Sequence, residues 1–181
     1  MGTQDYYKTL NVEKNASEEA IENVQNSPWK NRVTIKNISF QKFATLSKKK
    51  FDLIISNPPF FSNSYKNETP NLAIARHNDL LPFLELIINS IKLLAKNGKL
   101  AIILPAIQAE EFIELTKPEG LNLSKLTKVK PKATKEPNRF LMEFTKMQTP
   151  LKTEYLTIYN ETGTDYTESY KQLTRDFYLK F

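Results

Sequence analysis

Phe51-Asp52-Leu53-Ile54-Ile55-Ser56-Asn57-Pro58-Pro59-Phe60 is an apolar, β-branched run that opens into a diproline corner. A short run of this kind reads as a strand buried on both faces of a parallel sheet. Consecutive prolines fix φ and deny the helical region to the residue before each, so the corner is stiff and its carbonyls keep one direction. Two readings stand side by side. The corner is either a turn that only ends the strand, or a rigid mount for the Asn57 amide and the Pro58 carbonyl at the rim of a sheet.

Outward from this corner the chain alternates helix and strand, the pattern of an α/β domain. Upstream, residues 17–25 carry a Ser17 cap and an acidic first turn, residues 26–31 form an exit loop, and residues 32–36 read as a strand. Ser39 and Phe40 follow that strand's end. Lys48-Lys49-Lys50 is a water-facing guard before the apolar run. Downstream, residues 61–78 are polar and read as a long loop holding Arg76 and His77. Asp79 begins a helix whose Leu84, Ile87, Ile88, Ile91 and Leu94 keep 3.6-residue spacing, closed by a left-handed cap at Asn97-Gly98.

Beyond that cap, residues 99–104 are a strand, 106–116 a helix and 118–120 a turn. Strands at 121–129, 139–146 and 154–159 have the alternation of an antiparallel edge. A last helix over 166–177 sets Tyr166, Tyr170, Leu173 and Phe177 on one side. That stripe docks on the sheet or stacks on nucleic-acid bases, and the spacing favours docking. No internal repeat or low-complexity tract interrupts the chain.

At 181 residues with 25% charged and 40% apolar residues, one globular domain is the expectation. The absence of cysteine excludes a disulfide framework and a zinc–thiolate site, and no metal is expected. No run is long and apolar enough for a membrane span, and no basic-then-apolar leader opens the chain, so a soluble, cytoplasmic protein is expected. The formal charge is +6, and Lys125, Lys128, Lys130, Lys132, Lys135 and Arg139 stand close together, opposed only by Glu136. Such a cluster is a solvated face or the footprint of a polyanionic partner. Oligomeric state is not set by any of these features.

Several segments resemble, in order, the bacterial tRNA(Val) adenine-N6-methyltransferases that modify the base beside the anticodon. They are Glu22-Asn23-Val24-Gln25-Asn26-Ser27-Pro28-Trp29-Lys30, Asn57-Pro58-Pro59-Phe60-Phe61, Ala75-Arg76-His77, Leu80-Leu81-Pro82-Phe83, Ile103-Leu104-Pro105, Val129-Lys130-Pro131-Lys132 and Leu173-Thr174-Arg175-Asp176-Phe177 with the four residues after it. The resemblance covers about residues 19–181. It implies a Rossmann-like class I methyltransferase sheet, S-adenosylmethionine as donor and tRNA as substrate.

That resemblance also implies roles for the corner. An exocyclic amine has a delocalised lone pair and is a poor nucleophile; Asn57 and the Pro58 carbonyl would accept its two hydrogens, leaving the lone pair to face the methyl donor. Pro59 stiffens the corner, and Phe60 would stack on the target base. Arg76, His77, Lys128, Lys130, Lys132 and Arg139 become candidates for RNA contact. The competing reading pairs Arg76 with Asp79 and joins His77 to a helix cap.

The cofactor half fits less well. The resembled family holds the donor with a Gly-rich turn after its first strand, on the general logic of a helix amino terminus at a sheet's carboxyl edge. This chain has four glycines, Gly2, Gly98, Gly120 and Gly163, and none forms that turn; only Ser39 and Phe40 stand where the donor's adenine would lie. The sheet is therefore expected to be incomplete, its first βα units missing and the Phe51–Ser56 edge left open, and the chain to be inactive alone. Residues 1–18, with Asp5-Tyr6-Tyr7-Lys8-Thr9-Leu10, resemble the opening of a J-domain. The single histidine lies in His77-Asn78-Asp79 rather than the His-Pro-Asp a J-domain needs, so a co-chaperone fragment is the weaker alternative. A non-catalytic RNA-binding remnant is the other.

Overall fold

Leu100, Ile102 and Leu104 alternate with Ala101 and Ile103 along one strand, and this two-residue period decides which face of the sheet is buried. The computed structural model describes residues 22–28, 30–58 and 72–177, with backbone alone for 72–81. Its elements are α1 (Phe40–Leu46), β1 (Phe51–Ser56), α2 (Leu72–Leu93), β2 (Leu94–Pro105), α3 (Ala106–Thr116), β3 (Asn122–Lys130), β4 (Arg139–Thr145), β5 (Lys152–Thr157) and α4 (Glu168–Thr174). The chain divides into two compact units, Met1–Phe43 and Ala44–Phe181.

In the second unit the strands are ordered β1-β2-β4-β3-β5. β1 runs parallel to β2, and β4 is antiparallel to both β2 and β3. The antiparallel expectation holds for β3 and β4; β5 differs, pairing in parallel with β3 through Lys125↔Lys152 to Lys130↔Thr157. β5 is therefore antiparallel to β4, and residues 146–151 stay at one edge of the sheet and cross only the amino end of β3, which stands between the two.

One face of this sheet carries the core. Leu100, Ile102 and Leu104 of β2 and Phe140, Met142 and Phe144 of β4 are buried with Phe83 and Ile87 of α2 and Ala109 and Phe112 of α3. Phe112 stands edge-on to Phe83 and to Phe144, each at 5.4 Å between ring centres, the geometry aromatic quadrupoles favour. Each such ring contributes about 1.5–3 kcal/mol by leaving water.

Among the described residues of the second unit, no helix packs on the opposite face. β1 stands at the sheet's edge, where Ile55 is 75% exposed and Leu53 52%. This corrects the expectation of a central strand covered on both sides: Ile54 alone of its aliphatics packs on the core. The expected strand at 32–36 has no ladder. A strand needs a neighbour to satisfy its backbone, and no other strand lies among the described residues of the first unit.

The long helix is displaced at both ends from its expected bounds. It begins at Leu72, so Ala75-Arg76-His77 lie in α2 rather than in a loop, and it runs on through Pro82. It ends at Leu93, four residues before the expected cap. Gly98 instead lies in β2, where a Cβ would come within 2.6 Å of the Phe51 carbonyl oxygen; close backbone approach, not a left-handed φ, is what it provides. Left-handed φ is found instead at Gly120, 71°, in the turn between α3 and β3, and at Gly163, 80°, between β5 and α4. At α4 the expected docking holds only in part. Tyr166 and Tyr170 are half-buried, while Leu173 and Phe177 face solvent, Phe177 at 86%.

Candidate active site at the carboxyl edge of the sheet

Because β1, β2, β3 and β5 point one way, their carboxyl ends share one edge, joined there by the amino end of β4. Asn57, Pro105, Arg139, Lys130 and Thr157 therefore mark a single rim. At about 4.8 Å per strand, β1 and β5 stand roughly 19 Å apart along it.

Alternation sets the direction of Asn57. Ile54 packs on the core, so Ile55 and Asn57 project from the open face. There Asn57 is exposed and lines a cleft of about 310 Å³ with Ile55, Ala101, Ile103, Leu141 and Glu143. Its amide has no hydrogen-bond partner among the described residues, and Pro58 beside it is half-buried. Pro59 and Phe60 lie outside the described residues.

The cleft's charges are paired along its floor. Lys99 meets Glu143 at 2.7 Å, and Glu154 is held by Lys152 at 2.6 Å and Lys125 at 3.0 Å. Hydrogen bonds from Lys152 and then Lys125 hold the Glu154 carboxyl below its ordinary range, and the Glu154 partner raises Lys152. A second cationic feature lies at the sheet's other end. Lys50 and Lys146 donate to the Lys92 and Leu94 carbonyls at the carboxyl end of α2, the Lys146 bond at 2.7 Å. Burial and then the charge of Lys50 push the Lys146 ammonium below its usual pKa.

The expected RNA contacts fall on several surfaces. Arg76 and His77 lie in the first two turns of α2, with side chains outside the described set. Lys128 lies over the Phe140 ring at 5.4 Å and Lys130 over Tyr155 at 6.0 Å, which puts both on the helix-covered side of the sheet. Lys132 donates to the Thr162 carbonyl at 3.2 Å. Arg139 stands opposite Val129 and, by alternation with Leu141 and Glu143, belongs to the open side. The basic cluster thus straddles the rim. Tyr155, exposed on β5, comes beside Lys128 and Lys130 only through the pairing of β5 with β3, since its neighbours in sequence are Glu154 and Leu156.

Ser39 and Phe40 belong to the first unit. The Ser39 hydroxyl accepts from the Lys42 amide at 3.2 Å and caps α1, so it is occupied by the backbone, and Phe40 is the half-buried first residue of that helix. Gly98 and Gly120 sit at the amino ends of their strands, away from Asn57, and Gly163 lies between β5 and α4. The described residues therefore do not form a glycine cradle for S-adenosylmethionine. Among them no cluster of three metal-ligating side chains occurs and no helix is long and apolar enough to cross a membrane.

Parallel strands with one inserted antiparallel strand and an amide at the carboxyl edge fit the sheet of class I methyltransferases. A predicted O-methyltransferase from Agrobacterium tumefaciens superposes with a TM-score of 0.63 at 14% identity, over 87% of this chain and 70% of that one. The family model described as Eco57I restriction-modification methylase matches residues 3–130. A tRNA1(Val) (adenine(37)-N6)-methyltransferase of Trichodesmium erythraeum is 40% identical over 172 residues, covering 95% of this chain and 72% of the relative. Its namesake in Christiangramia forsetii is 37% identical over 94% of this chain and 72% of its own length. The chain belongs to the tRNA1(Val) (adenine(37)-N6)-methyltransferase family, whose members are S-adenosylmethionine-dependent enzymes.

Proposed function

We propose that the Asn57–Pro58 corner is the amine-gripping half of a site that methylates the N6 atom of an adenine in tRNA. The observation that carries this is the exposed Asn57 amide, unpartnered among the described residues and aimed into an open cleft at the carboxyl edge. The Asn57 side-chain oxygen accepts one hydrogen of the amine and the Pro58 carbonyl the other, which fixes the nitrogen's orientation. Pro59 keeps that carbonyl aimed and Phe60 stacks on the purine. Bound S-adenosylmethionine supplies the methyl group. The chain's own residues hold, orient and desolvate the base, and orientation of this kind accounts for much of the acceleration such a transfer needs.

Lys128, Lys130, Lys132 and Arg139 meet phosphates along the rim, with Arg76 and His77 reaching the RNA from α2. Function in the cytoplasm follows from a tRNA substrate. The missing glycine cradle favours a second reading, in which these 181 residues bind tRNA without transferring a methyl group. Methyl transfer from labelled S-adenosylmethionine to a tRNA(Val) transcript separates the two. Transfer that Asn57→Ala abolishes supports the catalytic reading; salt-dependent binding with no transfer supports the other; transfer unaffected by Asn57→Ala defeats the role given to the corner. Calorimetric titration with S-adenosylmethionine gives a further check: micromolar affinity supports the catalytic reading, and millimolar or absent affinity the reading as a tRNA binder alone.

A further inference from the structure

Tyr155 is 65% exposed on the outermost strand, yet an aromatic ring in an edge strand ordinarily turns inward to pack. Its register neighbour is Lys128, and the Lys130 ammonium lies 6.0 Å from its ring centre. Lys128 is itself spread over Phe140. Neither lysine has an ion-pair partner among the described residues, whereas Lys125, Lys152 and Lys171 are all paired with carboxylates. Cations left beside rings rather than carboxylates offer their charge outward.

The aromatic surface continues past the strand. Tyr159 stacks on Tyr166 at 5.1 Å with 20° between planes, and Tyr166 on Tyr170 at 5.1 Å with 29°. A bridge between Tyr159 and Tyr166 and the Thr167 cap of α4 brace this stack, so its rings are pre-positioned. Tyr159, the ring at one end, is 37% exposed. Lys132 is anchored nearby on the Thr162 carbonyl.

We infer that β3, β5 and the tyrosine stack form a second RNA-binding surface, which holds unpaired nucleotides of the substrate by stacking bases on Tyr155 and Tyr159 while Lys128, Lys130 and Lys132 take the phosphates. The inference rests on the tRNA reading above and adds to its lysines the rings on which bases stack. Rings interleaved with cations suit a single strand, whose bases expose their faces; in a duplex those faces are covered. The surface meets the rim from the helix-covered side, whereas Asn57 opens on the other face; β1 and β5 stand roughly 19 Å apart along that rim, four strand spacings.

The test is a titration of the full chain against a short fluorescein-labelled single-stranded RNA and the same RNA annealed to its complement, repeated over a range of salt. Tyr155→Ala is expected to weaken single-strand binding about 5- to 150-fold, and Tyr155→Phe to bind as the parent does. Lys128→Gln with Lys130→Gln should reduce the salt slope by about 1.4, from roughly 0.7 per phosphate contact on a single strand. Unchanged binding by Tyr155→Ala, a preference for the duplex, or no RNA binding by the parent chain overturns the inference. Single-strand binding through Tyr155 without methyl transfer leaves this surface standing and removes only the catalytic reading.

Discussion

Gly98→Ala couples the packing of the sheet to the position of the candidate site. A Cβ at residue 98 would lie 2.6 Å from the Phe51 carbonyl oxygen, and 3.1 Å from both the Ala95 nitrogen and a Leu94 methyl. Two of these neighbours are backbone, so relief requires β1 to move away from β2 at the point where their register already slips, between Phe51↔Leu94 and Leu53↔Lys99. Overpacking of this kind costs about 1–3 kcal/mol. For a chain of this length each kcal/mol lowers Tm by roughly 2–4 °C, so a fall of about 2–12 °C is expected. The assay is thermal unfolding followed by circular dichroism, with amide exchange of Leu53, Ile54 and Ile55 showing whether β1 loosens. Gly120→Ala is the contrast. Nothing lies within 4 Å of its Cβ, and only the left-handed φ of 71° resists it, at about 1–2 kcal/mol, with no effect on β1 exchange. A Gly98→Ala chain with the parent's Tm and the parent's exchange rates in β1 would refute the close-approach argument.

Further expectations concern the core and the paired charges. Phe112→Ala removes the ring between Phe83 and Phe144 and should cost about 3–5 kcal/mol, read from urea unfolding. Lys146 has a folded pKa below 10.5, so the folded state binds fewer protons than the unfolded one between that lowered value and 10.5. Stability measured against Lys146→Met should therefore rise with pH across that window, and a flat difference contradicts the burial argument. Glu154 is depressed below 4.5, so its contribution is present above 4.5 and lost as pH falls through the folded value. Glu154→Gln should remove that acid-side loss from the unfolding midpoints.

What could be read from the sequence follows from how local each decision is. The bounds of α3 and the strand character of β2 and β4 were legible, because Pro105 and the turn at 118–120 bracket the helix and the apolar runs on either side are short and β-rich. The end of α2 was not, since the Lys92 carbonyl and that of Leu94 just beyond the helix are met by Lys50 and Lys146, 42 and 52 residues distant in the chain. Residues 32–36 have the composition of a strand, yet a strand exists only with a ladder partner, and composition cannot supply one. At the site, Asn57-Pro58 was legible as a stiff corner with an outward amide. The face it opens on was not, because that depends on β1 lying at the sheet's edge. The lysines were legible as a cluster, but alternation sends Lys128 and Lys130 to one side and Arg139 to the other, a division that sequence proximity hides.

The central claim is that Asn57 recognises a flat amino group by its hydrogens. It can be tested on binding alone, with nitrogen-resolved NMR of the Asn57 side-chain amide during titration with a tRNA(Val) anticodon stem-loop. The account predicts that this signal shifts with the adenine-containing stem-loop, that the shift vanishes when the target adenine is replaced by purine, which lacks the amine, and that the affinity difference between the two RNAs disappears in Asn57→Ala. An Asn57 signal that responds equally to both RNAs, or to neither, would contradict it.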